Sequence, residues 1–331
     1  MIYFRDGSTS YGVSPEEAKK RFESALGGDF RFVYPKTDNE NELDSMIQDC
    51  DALVGTSATL DEKIARVILN SRSMGFIQCI GAGVENFPVE RLKGSKIQLA
   101  DASGASAIAV AEHAFSLMIS LTKKITYNDS QIKKGIWKKE PLLELWNKTV
   151  TILGLGSIGM ELAKRSIGFG MNVIGIQKHP REELSQPRIK VAGLDQFRNS
   201  LRETDYLVIS LPLTSETRNL IGENEFRLMK KSAFIINVAR GVIVNETALR
   251  TALEKGWISG AGIDTWYAYP PSSDTPSASK IHLLPNVIAT AHVASTTSES
   301  VERTFDLVIN NLRELSATRK FKNLVDPHLG Y

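Results

Sequence analysis

The stretch TVTILGLGSIGMELAKRSIGF, Thr149–Phe169, decides the fold. Its first residues form a β-branched apolar run, and its last residues are helix formers with apolar side chains at helical spacing. Between them, Gly154, Gly156 and Gly159 fill the three positions of a GxGxxG pattern. The first glycine allows a tight turn, the second lets backbone N–H groups approach a pyrophosphate, and the third lets the helix pack closely on the strand. A glycine turn between a strand and a helix predicts a dinucleotide site, with the pyrophosphate at the helix N-terminus.

The same alternation of strands and helices extends in both directions from this turn. Towards the N-terminus, the apolar runs FRFVY, DALVG and GFIQCIG are separated by amphipathic segments such as PEEAKKRFESAL. Towards the C-terminus, NVIGI, DYLVISL, AFIINV and NVIAT are separated by segments such as NETALRTALEKG. Strands that alternate with helices of this length imply βαβ units and parallel sheets. We therefore predict an α/β protein with two doubly wound parallel-sheet domains, one flavodoxin-like and one a Rossmann domain.

The composition excludes several classes of protein. The chain has 331 residues, and 40 Lys and Arg against 38 Asp and Glu leave a formal net charge of +2, which gives no sign of a nucleic-acid or membrane partner. Cys50 and Cys79 lie in or beside apolar runs, and no Cys/His cluster indicates a metal. The N-terminus does not look like a signal peptide, and no run approaches the roughly 20 apolar residues of a membrane span. We expect a cytoplasmic protein with two reduced thiols.

The end of the second Rossmann strand bears on the choice of cofactor. An NAD site usually has Asp or Glu there, to hold the ribose hydroxyls. This chain has Gln177, followed by Lys178 and, three residues on, Arg181. A neutral amide followed by two cations would accept a 2′-phosphate that a carboxylate would repel, so NADP is favoured over NAD. The alternative is an ordinary exposed turn that has only lost the acid.

Three polar side chains follow later strands of the same series. Arg240 comes just after AFIINV, Asp264 ends GAGI, and His292 follows NVIAT. In open α/β sheets, ligands bind outside the carboxyl ends of the strands. An Arg can hold a carboxylate and a carbonyl, and a His can supply a proton near neutral pH. This set of groups around a dinucleotide site indicates hydride transfer to an anionic oxo acid.

These stretches together resemble the D-isomer-specific 2-hydroxyacid dehydrogenase family. The matching segments are GAGVENF, AVAEHA, NKTVTILGLGSIG, LPLTSETRNLI, NVARGVIVNETAL, GAGIDTW and NVIATAHVA. They run from Gly81 to Ala294, about two thirds of the chain, and they are far more specific than GxGxxG alone. The N-terminal part is similar to the family mostly in pattern rather than in motif.

The resemblance implies a role for individual residues. Arg240 would bind the substrate, His292 would be the catalytic acid/base, and Asp264 would accept a hydrogen bond from the nicotinamide amide. Backbone N–H groups of Ala82 and Gly83 would bind the substrate carboxylate. Further contacts with the cofactor would come from Ser157, Ile158, Pro212, Thr217, Val238 and Ala239.

The resemblance also implies a domain organisation. Residues 1–102, completed by a C-terminal helix in 295–331, would form the substrate domain, and residues 103–294 would form the NAD(P)-binding domain. Family members are usually dimers, so the long predicted helix Ser106–Ile125 and the arm that follows, to about residue 150, are a candidate homodimer surface.

One position departs from the family. The family pattern after this strand is Asp-Val-Phe-x-x-Glu-Pro, and its Glu is the partner of the catalytic His. Here the segment reads GIDTWYAYPP, so that Tyr269 stands before Pro270 where the Glu is expected. A carboxylate beside a His raises the pKa of the imidazole and fixes its tautomer, whereas a neutral phenol supplies little charge. We therefore expect His292 to have a lower pKa than in Glu-bearing relatives.

Two functions remain open from the sequence. The first is an NAD(P)-dependent enzyme that interconverts a small 2-oxo acid and its D-2-hydroxy acid, with glyoxylate or hydroxypyruvate as the first candidates. The second is a dinucleotide-binding regulatory protein with little turnover, since the Glu is missing. His113, in AVAEHAF, is interpreted as a structural histidine that hydrogen-bonds inside the fold.

Overall fold

The structure is a computed structural model that describes residues 2–5, 13–34, 40–56, 59–269 and 273–330. The chain divides into two compact units: unit 1 contains residues 1–106 and 296–331, and unit 2 contains residues 107–295. From the sequence, we predict that the chain passes from one domain to the other at 102/103 and returns at 294/295. Pro270, the last residue of the family pattern Asp-Val-Phe-x-x-Glu-Pro, lies outside the described residues.

Each unit is built from short strands and helices in alternation. The strands are β1 Ile2–Arg5, β2 Phe32–Val33, β3 Ala52–Gly55, β4 Phe76–Cys79, β5 Gln98–Ala100, β6 Thr149–Leu153, β7 Asn172–Gln177, β8 Ile189–Gly193, β9 Tyr206–Ile209, β10 Phe234–Asn237, β11 Gly260–Ile263 and β12 Val287–Ala289. The helices are α1 Pro15–Leu26, α2 Glu40–Ile47, α3 Glu62–Leu69, α4 Ala107–Thr122, α5 Ile125–Lys133, α6 Ser157–Gly168, α7 Phe197–Leu201, α8 Glu223–Leu228, α9 Glu246–Glu254 and α10 Ser298–Glu314.

Unit 1 is a five-stranded parallel sheet in the order β2-β1-β3-β4-β5. This is the flavodoxin-like order. Helix α10 comes from the far end of the chain, yet its apolar face lies in the same core cluster as Phe22 of α1 and Phe76 of β4. The ring centroids of Phe22 and Phe305 are 5.1 Å apart. Unit 1 therefore buries its core only when both segments of the chain are present.

Unit 2 is a seven-stranded parallel sheet in the order β12-β11-β10-β9-β6-β7-β8. The order reverses at β6, which pairs with β9 on one side and with β7 on the other. Such a reversal opens a crevice at the carboxyl ends of the strands, where doubly wound folds bind ligands. The predicted fold class, α/β with two doubly wound parallel sheets, is confirmed.

Local differences from the predicted elements have physical causes. The helix predicted over Ser106–Ile125 ends at Thr122, because Lys124 is left-handed (φ 48°) and α5 starts afresh after it. Strand β8 was missed because it lies at an edge of the sheet, where only one of its five residues is buried, so its sequence has no continuous apolar run. The segment FPVERLKG forms a 3₁₀ helix over Val89–Leu92 rather than an α-helix.

The two cysteines, Cys50 and Cys79, are free thiols buried in unit 1. Burial raises the pKa of the Cys50 thiol to about 11. Across the part of the chain that the structure describes, no helix is both long enough and apolar enough to cross a membrane.

Candidate active site at the carboxyl edge of the unit 2 sheet

The glycine turn between β6 and α6 has the geometry that the sequence predicts for it. Gly154 has a φ of 102°, and a Cβ there would meet the backbone nitrogen of Leu211 at 2.8 Å. A Cβ on Gly159 would collide with the carbonyl oxygen of Gly154. A Cβ on Gly156, by contrast, would meet no atom within 4 Å. The turn is therefore closed on the protein side and open above the helix N-terminus, as a bound pyrophosphate requires.

Ser157 and Ile158 form the first turn of α6, and Gly156 is its N-cap. The first N–H groups of an α-helix have no partner within the helix, and a glycine N-cap has no side chain to accept from them. The partial positive charge of the helix end adds to the attraction for an anion. These backbone groups fit a dinucleotide phosphate.

The end of β7 is tied to the glycine turn. The Gln177 amide donates to the carbonyl of Leu155 (3.0 Å), and its oxygen accepts from the backbone N–H of Arg181 (3.1 Å). Lys178 forms an exposed ion pair with Glu216, with 2.7 Å between Nζ and Oε2. Both cations follow the end of β7, and Lys178 already has a carboxylate beside it. Their predicted contact with a 2′-phosphate stays a prediction.

The turn after β9 carries Pro212 and Thr217. The Thr217 hydroxyl donates to the carbonyl of Pro212 (2.8 Å) and accepts from the backbone N–H of Thr214 (2.7 Å). Two hydrogen bonds from one side chain fix the conformation of this turn. The predicted contact of both residues with the cofactor stays a prediction.

The segment after β10 is held by a buried amide. Asn237 is buried, and its side chain accepts from the N–H of Ala239 (3.1 Å) and donates to the carbonyl of Arg240 (2.9 Å). Val238 and Ala239 are buried in the same segment. The Arg240 guanidinium is half-buried and donates from Nη1 to the carbonyl of Ala239 (2.8 Å). This side chain is presented from a rigid turn.

The segment after β11 is packed against that turn. A Cβ on Gly241 would collide with the carbonyl of Trp266, so only glycine lets the two backbones approach this closely. The Trp266 indole N–H donates to the carbonyl of Thr290 (2.8 Å), which ties this segment to the one after β12. The ends of β10, β11 and β12 therefore form one connected edge.

Asp264 is completely buried at this edge. Its Oδ1 accepts from the hydroxyl of Thr290 (2.6 Å) and from the N–H of Val293 (3.0 Å), and its Oδ2 accepts from the N–H of Ala294 (3.1 Å). The His113 Nε2 lies 3.4 Å from Oδ1. Burial alone would raise the pKa of the carboxyl, but these donors outweigh it and lower the pKa to about 2. Asp264 is therefore an anion that organises its surroundings, and its predicted bond to the nicotinamide stays a prediction.

His292 lies in the exposed segment that Asp264 holds, and its backbone is left-handed (φ 56°). Its ring centroid is 5.4 Å from that of Tyr269. The Tyr269 hydroxyl accepts a hydrogen bond from the backbone N–H of Trp266 (2.8 Å). The residue at the Glu position thus brings an aromatic ring to the imidazole, and its oxygen binds the neighbouring backbone.

Ala82 and Gly83 belong to unit 1, in the loop that follows β4. The carbonyl of Gly81 accepts from the N–H of Ala102 (2.9 Å), and the Cys79 thiol approaches the carbonyl of Gly83 (3.5 Å). Ala82 is exposed at the tip of this loop. Their predicted role in substrate binding stays a prediction.

Sequence reasoning missed the residues that hold this edge together, namely Asn237, Trp266 and Thr290. Asn237 left a signal, because a polar residue at the end of the apolar run FIIN has to find hydrogen bonds if it is buried. Thr290 left none, since a Thr after a strand is common and its partners lie far away in the sequence.

Comparisons with known proteins agree with this geometry. The sequence profile described as "D-isomer specific 2-hydroxyacid dehydrogenase, NAD binding domain" matches residues 115–294. The chain is 33% identical over 290 residues to D-3-phosphoglycerate dehydrogenase of Methanocaldococcus jannaschii, a match that covers 87% of this chain and 54% of that protein. This chain therefore spans about half the length of that relative.

Two glyoxylate reductases match over most of their length. The chain is 32% identical over 302 residues to the enzyme of Thermococcus litoralis, covering 88% of each. The crystal structure of a glyoxylate reductase from Paecilomyes thermophila superposes with a TM-score of 0.85 at 24% identity, covering 99% of both chains, which shows the same fold. The family profile covers more than half of this chain and the Thermococcus protein is similar across both lengths, so the chain belongs to the D-isomer specific 2-hydroxyacid dehydrogenase family and is an NAD(P)-dependent oxidoreductase.

Proposed function

We propose that this chain reduces a small 2-oxo acid to the D-2-hydroxy acid, with Arg240 as the substrate-binding residue and His292 as the acid/base. The observation that carries the proposal is the edge of the unit 2 sheet. A dinucleotide turn, a guanidinium and an imidazole follow the carboxyl ends of β6, β10 and β12, which are strands of one parallel sheet. Doubly wound enzymes place their chemistry at this edge.

The reaction needs a hydride and a proton. When bound, the nicotinamide supplies the hydride to the carbonyl carbon. The Arg240 guanidinium pairs with the carboxylate and polarises the carbonyl oxygen. The protonated His292 gives an imidazolium proton to the oxygen as negative charge develops on it, and it takes that proton back when the hydroxy acid is oxidised.

Glyoxylate and hydroxypyruvate are the proposed substrates. The glyoxylate reductases among the relatives support this class of acid.

In this proposal, Tyr269 determines the pH range in which the oxo acid is reduced. Its ring packs beside His292 and brings no carboxylate, so less charge favours the imidazolium than in relatives that carry Glu. Reduction of the oxo acid, which needs the protonated ring, is therefore expected to fall off at a lower pH than in those relatives.

The test is the oxidation of NADPH and NADH between roughly pH 5 and 8, the range in which histidine titrates, with a panel of 2-oxo acids. The panel contains glyoxylate, hydroxypyruvate, pyruvate, phenylpyruvate and 2-oxoisocaproate. Turnover of one acid that Arg240→Ala and His292→Ala both abolish supports the proposal. Full turnover in His292→Ala would rule out its role as acid/base.

NADPH is the proposed donor. Lys178 and Arg181 follow a neutral Gln177 at the end of β7, where a 2′-phosphate would be received. The variants Lys178→Ala and Arg181→Ala are expected to weaken NADPH binding about tenfold each and to leave NADH binding unchanged, because only the phosphate contact is lost. Nicotinamide fluorescence measures both affinities. Equal losses for the two cofactors would contradict this preference.

The missing Glu favours a second candidate, a dinucleotide-binding regulatory protein with little turnover. Tyr269 uses its hydroxyl to bind the Trp266 backbone, which is a structural rather than an acid/base contact. Tight cofactor binding without turnover of any acid in the panel would support this candidate. Gain of turnover in Tyr269→Glu would then identify the lost group.

We also propose that the chain forms a homodimer through α5 and the arm that follows it. Helix α5 has no buried residue, and the arm after it has no helix or strand up to β6. Large apolar side chains are exposed there: Ile125, Tyr127, Ile132, Ile136, Trp137, Leu142, Leu143 and Trp146. A group of exposed large apolar side chains on one segment is typical of an interface. A second copy of the chain would supply a matching apolar face.

The test of the dimer uses Trp137, which is 82% exposed and so contributes little to the fold of one chain. Light scattering on the purified protein is expected to give a dimer. Trp137→Glu is expected to give a folded monomer, because a charge would be buried without a partner at the interface. The control is a substitution at the exposed Leu194, which lies outside the patch and should leave the dimer intact.

A further inference from the structure

His113 lies in α4, and its ring reaches the buried carboxylate of Asp264 and the hydroxyl of Thr290. Its Nε2 lies 3.0 Å from the Thr290 hydroxyl oxygen and 3.4 Å from Asp264 Oδ1. Its side chain is 20% exposed. All the groups concerned belong to unit 2.

The hydrogens in this cluster can be assigned by counting donors and acceptors. An ionised carboxylate only accepts, so the single hydroxyl proton of Thr290 points at Asp264 Oδ1, 2.6 Å away. The Thr290 oxygen then has only lone pairs to offer to His113. His113 must therefore donate from Nε2–H, and the chain of hydrogen bonds runs from His113 to Thr290 to Asp264.

The same carboxylate also fixes the residues that follow His292. Asp264 accepts from the backbone N–H groups of Val293 and Ala294, the two residues after His292. Two successive N–H groups that converge on an anion are a common device for fixing a turn. On the N-terminal side of His292, Thr290 donates its backbone N–H to the carbonyl of Ile263 (2.9 Å).

His292 needs this support because its backbone is strained. A residue with a side chain at a φ of 56° costs free energy relative to a glycine, and it keeps that conformation only where its surroundings over-determine it. Here the segments on both sides of His292 are fixed to one carboxylate, and His113 is linked to that carboxylate through the Thr290 hydroxyl.

We propose that His113 is a positioning residue for His292, which acts through the hydroxyl of Thr290 and the carboxylate of Asp264. The proposal rests on the proposed role of His292 as the acid/base. Helix α4 suits this task, since most of its residues are buried and its frame is rigid. His113 acts through two other residues in this scheme, so it is a positioning residue and not a catalytic one.

The experiment compares two replacements of His113 in the full-length chain. His113→Leu keeps a similar volume and removes the donor, whereas His113→Gln places an amide N–H near the position of Nε2. We expect kcat to fall about tenfold in His113→Leu, with KM and the affinity for NADPH changed less than twofold, because only the placement of His292 is altered. His113→Gln is expected to recover most of the lost kcat.

Thr290→Val tests the path. The substitution removes the hydroxyl at nearly constant shape, and it is expected to lower kcat to a similar extent. The double variant with His113→Leu should be no worse than the poorer single variant, because both cut the same chain of hydrogen bonds. Fully additive losses would show that the two residues act independently, which would overturn the path.

A second readout does not depend on turnover. The Cε1–H resonance of His292, assigned among the five histidines by its absence in His292→Asn, is followed by NMR in the cofactor-free chain. We expect it to shift or broaden in His113→Leu and Thr290→Val and to return in His113→Gln. A lower Tm with unchanged kcat and an unchanged His292 resonance would reduce His113 to a residue of stability alone and overturn the proposal.

The two readouts also separate this inference from the proposed function. If the wild-type chain turns over no 2-oxo acid, the proposed function fails, and the resonance of His292 still decides whether His113 positions it. If turnover is present and His292 does not respond to His113 in either readout, the proposed function stands and the positioning role falls.

Discussion

Replacing Asp264 by Asn tests how much the buried carboxylate contributes to unit 2. The carboxyl has a pKa of about 2 in the folded chain against an ordinary 3.8. At 1.36 kcal/mol per pKa step, that difference corresponds to about 2 kcal/mol in favour of the ionised form. Asn is nearly isosteric but neutral, and its NH₂ group would face a backbone N–H. We therefore expect the free energy of unfolding of unit 2 to fall by at least about 2 kcal/mol at pH 7.

The sign of the pH dependence follows from the direction of the pKa. Because folding lowers the pKa of Asp264, the carboxylate stabilises the fold fully above the unfolded value and loses this effect as the pH falls through 3.8 towards 2. Asn does not titrate, so the difference between wild type and Asp264→Asn should shrink with acidification. About half of this difference should remain at pH 3.

The assay is urea unfolding of the cofactor-free chain, followed by tryptophan fluorescence. All four tryptophans lie in unit 2, at positions 137, 146, 257 and 266, so the signal reports this unit. Asp195→Asn, the same substitution at an exposed site in unit 2, is the control and should change stability by less than about 0.5 kcal/mol. A loss below about 1 kcal/mol in Asp264→Asn at pH 7, or a loss that is the same at pH 3, would refute the reasoning.

Three further changes test other parts of the site. Tyr269→Glu should raise the apparent pKa of the His292 pH–rate profile for reduction by about one pKa step, because a carboxylate beside the ring favours the imidazolium; a profile that does not move contradicts this. Gly241→Ala should destabilise unit 2 by about 2 kcal/mol or more in urea unfolding, since its methyl group would collide with the Trp266 carbonyl; a neutral effect would mean that this backbone can relax. Gln177→Glu should weaken NADPH binding about tenfold relative to NADH, since a carboxylate repels the 2′-phosphate; an unchanged ratio of the two Kd values argues against a phosphate near this side chain.

The fold was predictable because its signals are local. The spacing of the glycines between Gly154 and Gly159 predicts the turn between strand and helix. Alternating strands and helices allow few topologies other than parallel sheets. Element ends were harder, as at Lys124, where a left-handed residue interrupts a segment with good helix formers. Nothing in the composition of that segment marks the break, because Lys is a favourable helix residue.

The candidate site was predictable in part. Arg240, Asp264 and His292 each follow a recognisable strand, so their place at one sheet edge follows from the parallel topology. Their connections do not follow, because Thr290 meets Asp264 across 26 residues of sequence and His113 meets Thr290 across 177. Such contacts depend on how α4 packs in unit 2, which periodicity cannot specify.

The split sequence of unit 1 has a consequence for the order of folding during synthesis. Residues 1–106 leave the ribosome first, yet the helix that covers Phe22 and Phe76 is α10, near the other end of the chain. The continuous segment 107–295 is synthesised in between and can complete its own sheet before α10 exists. The N-terminal sheet must therefore keep part of its apolar face exposed to water until α10 has been synthesised, and exposed apolar surface of this kind promotes aggregation.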